Sequence, residues 1–171
     1  MNLRQQVLDM TTSSNKPDFR QLLKRPACFA ALGFGAGLSP KAPGTAGTVV
    51  AIPIYLLLQP LSVFWYLLAT LAAFVIGIWL CQQAVNWLQQ EDPSAVVWDE
   101  IVGYLVTMIM APQGWQWVIA GFVLFRLFDI WKPWPVKLAD QQVHGGFGIM
   151  LDDVIAAIYA AICLQLLYFL L

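Results

Sequence analysis

Long uncharged apolar runs separated by short polar clusters set the pattern of this chain. Residues 42–90 contain no Asp, Glu, Lys or Arg, and neither do 101–125 or 154–171. A bilayer core is ~30 Å thick and takes about 20 helical residues to cross, so each run is a membrane-helix candidate. The first is too long for one crossing and is interrupted at Gln59-Pro60-Leu61-Ser62. Proline lacks an amide donor, and the residue before it avoids the helical region. The pattern therefore predicts helices over about 45–58 and 62–88, forming a hairpin with an uncharged tip. Residues 101–125 allow one continuous span, or a break at Ala111-Pro112-Gln113-Gly114, a strong turn signal. The broken reading, about 101–110 and 115–130, is preferred because it returns Arg126, Asp129 and Lys132 to the face that carries Asp99 and Glu100. Its arms, about 15–24 Å at 1.5 Å per residue, would enter a bilayer partway or sit where it thins. A last helix, about 152–171, is long enough to span. The predicted fold class is all-α: a multi-pass membrane helical bundle with helical hairpins and charged helix ends on one face. Trp65, Trp79, Trp115, Trp117, Trp131 and Trp134 fall near proposed ends or turns, as interfacial belts do.

Composition sharpens this picture. Of 171 residues, 60% are apolar and 11% charged, against ~25% charged in an ordinary soluble domain. The mean hydropathy is +0.68. An ordinary soluble domain is thereby excluded, as is disorder outside the ends. The length accommodates one domain, read as a polar cytoplasmic leader over 1–25 followed by a single membrane-embedded helical domain over 26–171. The leader is no secretory signal, because Asp9 and the polar run 11–16 interrupt any apolar core. Its basic excess places it on the cytoplasmic side. A net charge of −1 gives no basic field for nucleic acid. Cys28, Cys81 and Cys163 are isolated among apolar residues, and so read as buried free thiols rather than a zinc site or disulfide framework.

Four motifs abut the predicted helix ends. The first, GFGAGLSPKAPGTAGT over 33–48, is glycine-rich and holds one lysine. It is neither a P-loop nor a dinucleotide fingerprint. Amides at a helix start, Thr45, Thr48 and Lys41 suit a phosphate cradle; a flexible loop capped by Thr45 is the bland alternative. The second, WDEIVG over 98–103, sets Asp99 and Glu100 at the start of an apolar helix. Helix-dipole stabilisation accounts for acids there, yet a carboxylate just inside a membrane helix is a functional candidate. The third, RLFDIWKPWP over 126–135, puts Arg126 and Asp129 on one helix face, and the helix must stop before Pro133. The fourth, HGGFGIMLDD over 144–153, sets a glycine loop and the one histidine before Asp152 and Asp153, in what reads as the first turn of a helix. Capping again is the bland alternative.

Jointly these motifs would bring Asp99, Glu100, Asp129, Asp152 and Asp153 to one membrane face with Lys41, Arg126 and Lys132. Carboxylates without thiols favour a hard cation, Mg²⁺ above all, held by a few carboxylates with water and phosphate oxygens. Cations beside them suit a phosphate substrate, and the interface suits a lipid headgroup.

At these same residues the chain resembles the bacterial phosphatidylglycerophosphatase A family. The matching blocks are GFGAGLSPKAPGTAGT, VVWDEIVG, FRLFDIWKPWP and HGGFGIMLDD, in that order, spanning 33–153. The resemblance implies an all-helical, Mg²⁺-dependent enzyme of the bacterial cytoplasmic (inner) membrane with its active site on the cytoplasmic face. It would hydrolyse phosphatidylglycerophosphate, a phospholipid substrate, to phosphatidylglycerol and inorganic phosphate. On that reading Asp99, Glu100, Asp129 and Asp153, with Asp152, hold one or two Mg²⁺. Lys41, Arg126 and Lys132 offset the substrate's charge, Thr45 and Thr48 donate hydrogen bonds to the phosphate, and His144 protonates the leaving alkoxide. Direct water attack ranks ahead of an aspartyl-phosphate intermediate. Signatures of CDP-alcohol transferases, histidine-based lipid phosphatases and DxDx[TV] enzymes are absent. The alternative is a small membrane transport or assembly subunit whose charged cluster is structural. Transport would predict ionisable groups near mid-helix, whereas here they lie at predicted ends.

Overall fold

The structure is a computed structural model and describes residues 19–170. The expected leader before residue 19 lies outside that range. Among the described residues every regular element is helical: α1 (Phe19–Leu23), α2 (Pro26–Ala31), a 3₁₀ segment (Gly33–Leu38), α3 (Pro43–Leu58), α4 (Val63–Leu88), α5 (Trp98–Thr107), α6 (Trp115–Trp131), α7 (Val136–Gln142) and α8 (Gly145–Leu170). Leu22, in the stretch read as leader, is fully buried in a core cluster with Cys28, Leu80 and Met150.

Both expected breaks form and the second makes a hairpin, whereas α3 and α4 barely touch each other and each packs against α5 instead. Gln59 closes α3, and α4 resumes at Val63. The chain breaks between Thr107 and Trp115, and Arg126 of α6 comes back to pair with Glu100 of α5. Two boundaries differ from the sequence expectation. α3 starts at Pro43, not Thr45, and its cap is Ala42 in the left-handed conformation with no side-chain hydrogen bond. Proline suits that first position because its missing amide would be unpaired there anyway. α8 starts at Gly145, seven positions before Asp152, with no acid in its first turn. Asp152 and Asp153 therefore sit roughly two turns inside a helix at 3.6 residues per turn. They do not cap it.

α4 and α8 are 26 residues each and are the two helices long and apolar enough to cross a membrane. Their outward faces are apolar: Trp65, Leu71, Ile76 and Trp79 on α4, and Ile162, Leu166 and Phe169 on α8, are exposed. Five of the six tryptophans read as a belt are exposed, but Trp117 is buried in the core. Cys28 and Cys81 are buried free thiols, and Cys163 is half-buried.

α5 is the hub, packed against α8, α3 and α4. Close packing of small residues substitutes for a hydrophobic driving force when helices meet in an apolar surround. Ala156, Ala157 and Ala160 of α8 are fully buried. A Cβ on Gly103 of α5 would stand 2.5 Å from the Phe125 ring. That glycine lets α6 seat the Phe125 ring against α5 one turn beyond Glu100. Two buried tyrosines of the core are satisfied: the Tyr66 hydroxyl donates to Leu105 O at 2.7 Å, and the Tyr104 hydroxyl to Val118 O at 3.0 Å. These bonds fix α4 and α6 to α5, and so fix the end of the bundle where the charges gather.

Candidate active site

Helix ends converge on one cavity of about 530 Å³. The start of α3 supplies Ala42, Pro43 and Gly44; the loop before α5 and its first turn supply Asp92, Asp99 and Glu100; the end of α6 supplies Arg126, Asp129 and Lys132; α7 supplies Asp140; and α8 with the residue before it supplies His144, Asp152 and Asp153. Uncharged runs end where these elements end, so the chain's few charges have no other place to meet.

The acids divide by partner. Asp99, Glu100 and Asp153 offer carboxylate oxygens that all lie within 4.8 Å of one another. Asp99 Oδ1, Glu100 Oε2 and Asp153 Oδ2 are buried and accept no hydrogen bond. Buried unpaired carboxylate oxygens are expensive and normally find a partner. Three oxygens in one place form a donor set that fits a hard cation. Asp129 and Asp152, expected in the same ligand set, stand beside this triad with cations already on them. Asp129 pairs with Arg126 one helical turn away, and Arg126 Nη1 also lies 3.6 Å from Glu100 Oε1. Asp152 Oδ2 accepts from Lys132 Nζ at 2.7 Å, and Asp140 Oδ1 accepts from the same nitrogen at 2.5 Å. Asp152 Oδ1 and Arg126 Nε are buried and remain without hydrogen-bond partners. Burial alone would lower the Lys132 pKa, but the hydrogen bonds it donates to Asp140 and Asp152 outweigh it and push the ammonium well above the usual lysine range.

The glycine-rich loop behaves differently from a phosphate cradle over most of its length. Gly33 and Gly35 take positive φ of 56° and 100°, which a glycine adopts at no steric penalty. A Cβ on Gly37 would overlap the Ala95 carbonyl, and one on Gly47 would stand 2.6 Å from Val97 Cβ. These glycines seat the loop on residues 95–97, which lead into α5. Only its end, 42–44, lines the cavity. Gly44 is tightly set: a Cβ there would overlap Glu100 Oε1 and meet both terminal nitrogens of Arg126. Lys41 is exposed and Thr45 half-buried, and neither lines the cavity. Thr48 is fully buried and donates to Gly44 O at 2.9 Å, which supports the helix rather than a ligand. His144 is exposed at the cavity wall. Asp92, Asp140 and Gly44 were not singled out from the sequence. The first two lie within the charged segments 91–100 and 126–140, which was their only signal.

Fold and site together define a class: an all-α protein with a lipid-compatible surface and a cleft of carboxylates and cations at one end of its bundle. Comparison with known proteins makes this specific. The family described as Phosphatidylglycerophosphatase A matches residues 29–168. A Phosphatidylglycerophosphatase A of Escherichia coli is 43% identical over 151 residues, covering 88% of this chain and 86% of the relative. One of Haemophilus influenzae is 42% identical over 155 residues, covering 88% and 93%. A Bacteroides thetaiotaomicron protein, provisionally described as a phosphatidylinositol-3-phosphatase, is 45% identical over 154 residues, covering 82% and 94%. No solved structure matches the chain. The chain belongs to the phosphatidylglycerophosphatase A family, and with that the transport or assembly alternative gives way to an enzyme.

Proposed function

We propose that the protein hydrolyses phosphatidylglycerophosphate to phosphatidylglycerol and inorganic phosphate, using Mg²⁺ held by Asp99, Glu100 and Asp153. The observation that carries this reading is the set of three buried carboxylate oxygens without partners, beside a guanidinium, in a member of this family. An ion bound there supplies Lewis acidity and lowers the pKa of a bound water. The chain's own residues do the rest. Arg126 faces the phosphoryl oxygens and offsets charge as it spreads. Asp129 holds Arg126 in position. The start of α3 at Gly44 offers backbone amides that lack intrahelical acceptors to the same anion. His144 at the cavity wall gives a proton to the leaving glycerol oxygen. Direct attack by water ranks first, because Asp129 and Asp152 are occupied by cations and are poor candidates for a free nucleophile.

On this reading the protein is a multi-pass chain of the cytoplasmic membrane with its charged end at the cytoplasmic face, a reading supported by the apolar outward faces of α4 and α8. The test is phosphate release from phosphatidylglycerophosphate in detergent micelles, for wild type and Asp99→Asn, with Mg²⁺ and with excess EDTA. Release by wild type with Mg²⁺ alone is the expected result. Folded wild type that releases nothing with any divalent ion would overturn the reading.

A further inference from the structure

The two cations lining the cavity sit in different surroundings. Arg126 lies with Glu100 and Asp129 against the triad of unpaired carboxylates. Lys132 lies where the cavity meets the surface, with its side chain 29% exposed and that of its partner Asp140 34% exposed. Lys132 ends α6 in the left-handed conformation at φ 45°. Its neighbours in the chain are strongly exposed apolar residues, with Ile130 at 71%, Trp131 at 68% and Trp134 at 78%. Ile130 also lines the cavity. The wall at Lys132 is thus continuous with a lipid-facing apolar surface, and long apolar chains can leave the cavity over Ile130 and Trp131. A lysine with an apolar stem and a charged head is suited to that boundary.

Given the proposed substrate, on which this inference rests, two phosphates need places: the terminal monoester that is cleaved, and the diester that joins the headgroup to the diacylglycerol. The monoester belongs beside the triad and Arg126. The geometry points to Lys132 as the residue that binds the lipid's phosphodiester, with Asp140 as the counter-ion that the diester displaces. Asp152 stays on Lys132 throughout, since its side chain is only 9% exposed and fixed on α8. Asp140, on the short α7 and the more exposed of the two, is the one free to yield. Lys132 then determines specificity for lipids that carry a diester beyond the scissile phosphate, and Asp140 positions its ammonium and competes for it.

Two product inhibitors separate the two places: phosphatidylglycerol carries only the diester, and inorganic phosphate mimics only the transferred phosphoryl group. Inhibition constants against phosphatidylglycerophosphate hydrolysis in mixed micelles are compared for wild type, Lys132→Met and Asp140→Asn. Lys132→Met is expected to raise the constant for phosphatidylglycerol by about tenfold or more, the size of a lost charged hydrogen bond. For inorganic phosphate the rise is expected to stay below roughly threefold. Asp140→Asn is expected to lower the phosphatidylglycerol constant a few-fold. Equal rises for both inhibitors in Lys132→Met would overturn the assignment. So would a monodisperse Lys132→Met without turnover, because Lys132 would then serve the transferred group. If Lys132→Met does not yield folded protein, Asp140→Asn decides: an unchanged or higher phosphatidylglycerol constant overturns the proposal. An inactive wild type removes the proposed function and this inference with it, whereas an active wild type with the adverse patterns removes this inference alone.

Discussion

Five of the acids that line the cavity fall into two groups that differ in what they touch. Asp99 and Asp153 form no ion pair among the described residues, and Glu100 meets Arg126 only through Oε1 at 3.6 Å, so each of the three keeps a buried oxygen without a hydrogen-bond partner. Asp129 and Asp152 each have a cation on one oxygen, Arg126 and Lys132 respectively. Residue type and burial are similar in the two groups, so neither explains the difference. A paired acid is a finished structural element whose removal strands its cation. An unpaired buried acid lowers stability and is retained for something outside the chain. The comparison therefore separates residues that the fold needs from residues that the fold tolerates.

The largest expected effect attacks the unpaired group. Asp153→Asn should cut phosphatidylglycerophosphate turnover by about a thousandfold, the several kcal/mol that a metal ion contributes to charge stabilisation. The same substitution should leave the metal-free protein as stable as wild type or more so, since it removes a buried charge without a partner. Activity from steady-state phosphate release and melting in EDTA by circular dichroism check the two halves. A variant that loses stability along with activity would place Asp153 among the paired acids and break the comparison.

Next in size is the paired group. Arg126→Met leaves Asp129 buried and alone, which costs about 3–5 kcal/mol. Melting should drop sharply or folded protein should fail to accumulate. Arg126→Met with Asp129→Leu should recover most of that stability, because replacing both charges with apolar groups is near neutral. It should not recover activity. If the double variant melts as low as the single one, the pair is not the unit that the structure suggests.

Gly44→Ala is a sharper probe, since it adds one carbon and no charge. Its Cβ would overlap Glu100 and crowd Arg126, at the seam between the two groups. Turnover should fall by about a hundredfold, the size expected when catalytic groups shift by roughly an ångström. Thr45→Ala, one residue on and away from the cavity, should stay within about threefold of wild type. Equal losses in the two variants would point to the helix start as a whole rather than to the seam.

Much of this arrangement was legible in the sequence, for a physical reason. A chain so poor in charge must gather what it has, so the uncharged runs located the helices and their ends located the site. The break at Pro112 and the stop before Pro133 were readable because proline's backbone restriction is local. Pairing was not readable. Nothing in the spacing tells Asp152 from Asp153, yet one faces Lys132 and the other faces Asp99 and Glu100. Adjacent helical residues point about 100° apart, and only the packing of α8 decides what each meets. The early start of α8 was hidden by His144-Gly145-Gly146, which reads as a loop. Gly146 instead lies within α8 and is glycine for packing, since a Cβ at that position would overlap the Ile78 carbonyl of α4. Lys41, Thr45 and Thr48 were drawn toward the site by a motif whose glycines mostly serve packing against residues 95–97.

The smallest effect concerns how the outer pair behaves with pH. Two carboxylates raise the Lys132 pKa above that of a free lysine despite its partial burial. A cation whose folded pKa is raised contributes stability in full below its unfolded value, about 10.4. The contribution fades as pH rises through the folded value. The triad of Asp140, Lys132 and Asp152 is partly solvated, so its worth is at most about 1 kcal/mol, or roughly 2–4 °C of melting temperature in a chain of this size. The difference in melting between wild type and Lys132→Met should accordingly stay constant from about pH 7 to pH 9, and shrink in alkali above the free-lysine range. A difference that vanishes by pH 8 would mean that Lys132 is not held charged by its two acids. The outer group would then be no more finished than the inner one.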